Sequence, residues 1–172
     1  MEAVSGVGRV SRRAVLRTLG LLGASAAVAP FLAGGPGTAS GQGNLAALQP
    51  EEKVDQTLKR LFGNQSIKDG SNVIKLDLPL IAENGAVVPI TVEVQSAMTP
   101  TTYVKNIYII SDRNRRPMNA KFSFTPEMGA ASIGANLRLN ETGDVRAIVE
   151  MNDGTLLMAK REVKVTVGGC GG

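Results

Sequence analysis

From residue 73 to residue 167 the chain is a succession of short runs rich in Val, Ile, Thr, Tyr and Phe, and that pattern confines it to few folds. The runs span 73–78, 86–95, 103–111, 120–125, 134–139, 145–152 and 155–167. Between them stand Asn84-Gly85, Thr99-Pro100, Arg116-Pro117, Thr142-Gly143 and Asp153-Gly154, pairs that favour tight turns. Short strands with a turn every ten residues or so predict a mostly β chain, an immunoglobulin-like antiparallel β-sandwich. Asp153-Gly154 is the clearest hairpin signal, and it joins 145–152 to the final strand. Within that strand Arg161-Glu162-Val163-Lys164-Val165-Thr166-Val167 alternates polar and apolar residues, as a half-buried strand must.

One helix precedes the strands. After Pro50, the residues Val54, Leu58 and Leu61 fall on one helical face. Acids fill the first turn, Lys59 and Arg60 the last, and Gly63 stands at the expected stop. This amphipathic helix is expected to lay its apolar stripe on the strands.

Composition excludes several kinds of chemistry. The chain of 172 residues holds no histidine and one cysteine, so it has no Ser-His or Cys-His couple and few means of building a transition-metal site alone. Glu150, Asp153 and Glu162 lie on the terminal hairpin at strand positions that usually face water, and no role is assigned to them. The six methionines follow no copper-binding spacing. Basic residues number 19 against 15 acidic, but four of the arginines and one glutamate lie in the first 40 residues. Without these, 15 basic face 14 acidic residues, and aromatics are scarce, so a nucleic-acid partner has no electrostatic or stacking support. Arg113, Arg115 and Arg116, with Lys121, surround Pro117; a solvated hairpin loop explains them, a partner-docking patch being the functional alternative.

The first 40 residues read as an address. Arg12 and Arg13 precede an uncharged stretch from 19 to 33 that is rich in Ala and Gly, resembling a twin-arginine (Tat) signal peptide. It is too short and too weakly apolar for a membrane span. The organisation expected is therefore signal peptide 1–40, linker 41–49, helix plus sandwich 50–167 and a terminal arm 168–172, with a periplasmic destination and no membrane contact after export. In an oxidising compartment a solitary cysteine must pair between chains, stay reactive or be covalently loaded.

That cysteine, Cys170, stands between Gly168-Gly169 and Gly171-Gly172. Glycine pairs on both sides predict an arm that repositions easily. Counted from Val167, three residues give the cysteine a sweep of about 10 Å.

The ending Val163-Lys164-Val165-Thr166-Val167-Gly168-Gly169-Cys170-Gly171-Gly172 resembles the carboxyl-terminal arm of the SoxY family, sulfur-carrier subunits of the bacterial thiosulfate-oxidising (Sox) system. The resemblance spans signal, strand-rich body and arm, with its specificity concentrated in those ten residues. It implies a non-catalytic periplasmic carrier that holds thiosulfate-derived intermediates on Cys170, with no resident cofactor. It further implies a heterodimer with a SoxZ-like subunit. Transient visits follow to a haem c Sox cytochrome that conjugates thiosulfate, a manganese hydrolase that releases sulfate, and a sulfane dehydrogenase. A free thiol ionises near about pH 8.5, so activation would belong to the receiving pocket.

Two other readings stand beside it. An exported immunoglobulin-like structural module would use Cys170 for a disulfide between chains. A ubiquitin-like carrier would be activated at a terminal Gly-Gly carboxylate, which requires cytoplasmic ATP and conflicts with export.

Overall fold

The computed structural model describes residues 49–169. The expected signal peptide with Arg12 and Arg13, nearly all of the linker, and Cys170, Gly171 and Gly172 lie outside the described residues.

The helix α1 runs Val54–Phe62, and each end is satisfied by nearby groups. At its start the Lys53 N–H donates to Gln56 Oε1 at 2.9 Å, and the Glu52 carboxylate accepts from Thr57 Oγ1 at 2.8 Å and Arg60 Nη2 at 2.6 Å. At its end Gly63 takes φ +62°, and its N–H reaches Lys59 O at 2.8 Å.

Nine strands follow among the described residues: β1 (Ile67–Asp69), β2 (Ile74–Asp77), β3 (Ile81–Asn84), β4 (Val88–Val94), β5 (Val104–Ser111), β6 (Met118–Ser123), β7 (Ala131–Leu137), β8 (Gly143–Met151) and β9 (Leu156–Val167). A six-stranded sheet has the order β1-β9-β8-β5-β6, with β3 also on β9, and a three-stranded sheet has the order β2-β4-β7. The expected sandwich is there, in two sheets. Its hairpin at Asp153-Gly154 joins β8 and β9 in antiparallel register from Gly143↔Val163 to Glu150↔Leu156. Gly154 sits at φ +85°, a backbone conformation that favours glycine.

Two strands, β1 and β3, were not expected, and both pair parallel to β9. They are three and four residues long and carry Lys68, Asp69, Glu83 and Asn84, so neither shows the apolar alternation that marks a strand in sequence. Strand β9 has twelve residues and one neighbour in β8; its other edge is covered by β1 near its start and by β3 near its end. This arrangement stiffens the strand that leads to Cys170.

Both faces of the larger sheet are covered. Ile107, Ile109, Val149 and Val163 point into the sandwich against Val88, Ile90 and Val92, and all seven are at most 2% exposed. Tyr108, Ile110, Ile148 and Leu156 face the other way, under Phe62 and with Leu58 and Leu61 of α1. Hence β5 is apolar at consecutive positions instead of alternating. Phe62 and Tyr108 meet edge to face, with ring centroids 5.0 Å apart at 85°.

Beside the helix-covered core lies a polar cluster. Asn106 Nδ2 and the Tyr108 hydroxyl each donate to Glu150 Oε2 at 2.8 Å, and Lys105 Nζ donates to Oε1 at 3.1 Å. Burial alone would raise the Glu150 carboxyl, but these three donors outweigh it and hold its pKa below the ordinary value of 4.5. Burial, then the bond to Glu150 and its charge, push the Tyr108 phenol well above its ordinary range. A carboxyl depressed in the folded state contributes stability above its unfolded pKa and loses it as pH falls through the folded one. Glu150→Gln is therefore expected to lower the urea midpoint at pH 7 and to flatten the fall of that midpoint below about pH 4.5. Equal acid slopes for the two proteins would refute the assignment.

Candidate functional site: the root of the cysteine arm

The final strand delivers residues 168 and 169 to a point where three backbones meet. Along β9, Lys164 N–H donates to Leu80 O at 2.9 Å, Val165 N–H to Thr142 Oγ1 at 2.9 Å, and Thr166 Oγ1 to Glu83 O at 2.7 Å. Beyond β8 and β3 the lacing continues through main chain alone. Gly85 N–H donates to Val167 O at 2.7 Å, Leu139 N–H to Gly85 O at 2.7 Å, and Gly169 N–H to Leu139 O at 2.9 Å. The Asn84 side chain accepts from Ala86 N–H at 2.8 Å and fixes the turn that presents Gly85.

The approach is close enough to dictate glycine. A Cβ on Gly169 would stand 2.6 Å from Gly85 O, one on Gly85 would overlap Leu139 O, and one on Gly168 would overlap Asn140 O. None of the three has a φ in the left-handed range, so space and not torsion is the reason for glycine here. Gly169 is buried, whereas Gly168 is exposed. The arm expected to start after Val167 is thus held to the body through Gly169.

These contacts are weak. One backbone hydrogen bond contributes about 1 kcal/mol net, and fixing one residue's backbone costs about 1–2 kcal/mol. Holding two glycines through a single N–H of their own is thus close to thermodynamic balance.

Other residues singled out in sequence lie elsewhere and have ordinary partners. Arg115 and Arg116 reach Glu51 at 2.7 and 3.7 Å, and Arg115 O accepts the Glu52 N–H, which ties the loop after β5 to the segment before α1. Arg113 lies with its Cγ against Gly143. Asp153 accepts from Thr155 N–H in the β8–β9 turn. Glu150 belongs to the polar cluster and Glu162 is exposed on β9, so the three acids of the terminal hairpin do not converge. Among the described residues no group of three or more acids is placed to hold a metal ion. The functional residues that sequence reading missed are Gly85, Leu139 and Asn140. Asn84-Gly85 carried a turn signal, but nothing in the sequence marked that turn as touching the arm.

Residues 58–170 match the family described as sulfur oxidation protein SoxY, a match that covers most of the chain and runs through Cys170. The chain belongs to the SoxY family. A solved SoxY, described as the sulfur carrier protein from Chlorobium limicola f thiosulfatophilum, is 34% identical over 67% of this chain and 97% of its own, with a TM-score of 0.56. A superoxide reductase (neelaredoxin) from Ignicoccus hospitalis is 21% identical over 54% of this chain and 80% of its own, with a TM-score of 0.49, and carries no functional meaning at that level. No curated protein matches the sequence. SoxY proteins are sulfur carriers on which enzymes act, not catalysts, and an arm root built from backbone contacts suits that role.

Proposed function

We propose that this SoxY-family protein carries thiosulfate-derived sulfur on Cys170 in the periplasm, after export directed by Arg12 and Arg13. The observation that carries the reading is the delivery of the chain, through a doubly flanked β9, to a backbone-only root immediately before the solitary cysteine. In the loading step the Cys170 thiolate and the outer sulfur of thiosulfate form a sulfur–sulfur bond, giving an S-thiosulfonate and two electrons, which pass to the haem c cytochrome. Hydrolysis by the manganese enzyme then cleaves the sulfur–sulfonate bond: water supplies the oxygen of sulfate, two protons are released, and a persulfide stays on Cys170. The sulfane dehydrogenase acts on what remains.

The test is loading with the cytochrome as oxidant. One reductant-labile adduct per chain supports the carrier. A disulfide-linked dimer without added sulfur supports the structural-module reading and overturns this one.

A SoxZ-like subunit is the proposed stable partner, and the surface beside the arm root supports a covered face. Leu80, Ile81, Val87 and Val167 are 70%, 58%, 63% and 63% exposed. Leu80 and Ile81 line an open groove of about 410 Å³ with Arg161, Glu162 and Lys164. Burying one such side chain contributes about 1.5–3 kcal/mol, so Ile81→Asp is expected to weaken the heterodimer by roughly ten- to a hundredfold in calorimetric titration. Undiminished affinity would place the interface elsewhere.

A further inference from the structure

We infer that Gly85, Gly168 and Gly169 form a latch that positions the arm, so that the pivot of the cysteine is Gly169 and not the end of β9. Three observations carry this. The hydrogen bonds run in series through the three segments, from Gly85 to Val167, from Leu139 to Gly85 and from Gly169 to Leu139. Each glycine faces a backbone atom at a distance that no Cβ tolerates. None of the three adopts the left-handed conformation that would otherwise explain it. With the latch closed, the thiol-bearing residue directly follows the last held position, a link of one residue step or about 3.5 Å. With it open, the link is the three residues counted from Val167. The positioning residue is Gly85, which lies 85 positions before the cysteine in sequence and touches no reacting atom. What the latch governs in turnover rests on the carrier reading above; the latch itself does not.

A nitroxide on Cys170, the only cysteine, tests it directly, together with amide exchange at Gly169. In the whole protein the Gly169 amide is expected to exchange roughly five- to tenfold more slowly than a coil amide, the ratio one net backbone hydrogen bond supports. The spin label should show a slow and a fast component. Gly85→Ala and Gly169→Ala should abolish the protection and leave only the fast component, while Gly171→Ala leaves both as in the parent. Gly169 lies past the last strand, so its variant keeps the test valid should Gly85→Ala fail to fold by circular dichroism. Coil-rate exchange at Gly169 in the parent, or equal effects of Gly169→Ala and Gly171→Ala, overturns the latch. Neither result touches sulfur loading, whose failure would remove the carrier reading and leave the latch in place.

Discussion

Cys170→Ser is expected to reduce covalent sulfur loading, and thiosulfate oxidation by the reconstituted Sox enzymes, to background. Serine presents an oxygen that cannot form the sulfur–sulfur bond, and the chain contains no second cysteine to replace it. Histidine is absent as well, which removes another nucleophile. Because the exchange replaces a single atom, three residues past the end of β9, the unfolding free energy from urea titration should stay within about 0.5 kcal/mol of the parent. Loss of loading with unchanged stability separates a carrier from a structural cysteine. Turnover that survives the substitution would remove Cys170 from the chemistry.

The second large effect is expected in the scaffold. Ile107 is fully buried between the sheets; on β5 it stands opposite Val149 of β8 and Phe122 of β6. Ile107→Ala removes several methyl and methylene groups from a site whose neighbours are held by strand pairing on both sides. Partial collapse should leave a cost of about 2–5 kcal/mol, read as a lowered urea midpoint at unchanged slope. The same variant should load sulfur normally while folded, since the arm root is built from main chain contributed by other segments. A cost below about 1 kcal/mol would mean that the space between the sheets refills easily.

Much of this architecture is legible in the sequence, for identifiable reasons. Strands β2 and β4 to β9 are rich in Val, Ile, Thr, Tyr and Phe and have turn pairs between most of them, so their existence and order along the chain follow. The helix is legible because Val54, Leu58 and Leu61 share a face and Gly63 stops it. The short strands β1 and β3 are not legible: their pairing is parallel and long-range, and it is determined by the length of β9 and not by their own residues. The glycines of the arm illustrate a different limit. Gly168 and Gly169 look like freedom when read locally, because glycine lowers the barrier to many conformations. The fold adds a second reason for glycine at the same positions, close approach to Gly85 and Asn140, and a residue that satisfies both demands cannot be told apart from one that satisfies only the first. Gly85 shows the converse, since a turn pair predicts a bend but not its neighbour across 84 residues, Gly169.

The central proposal is that the sulfur cargo of this SoxY-family chain sits on Cys170. The decisive measurement is the intact mass of the protein purified from the periplasm of cells oxidising thiosulfate, taken before and after reduction and mapped to the peptide that contains Cys170. A mature chain without the first 40 or so residues, bearing sulfur or sulfonate on Cys170 that a reductant removes, is the result expected. Protein that never carries such mass, or carries it at another residue, contradicts the account.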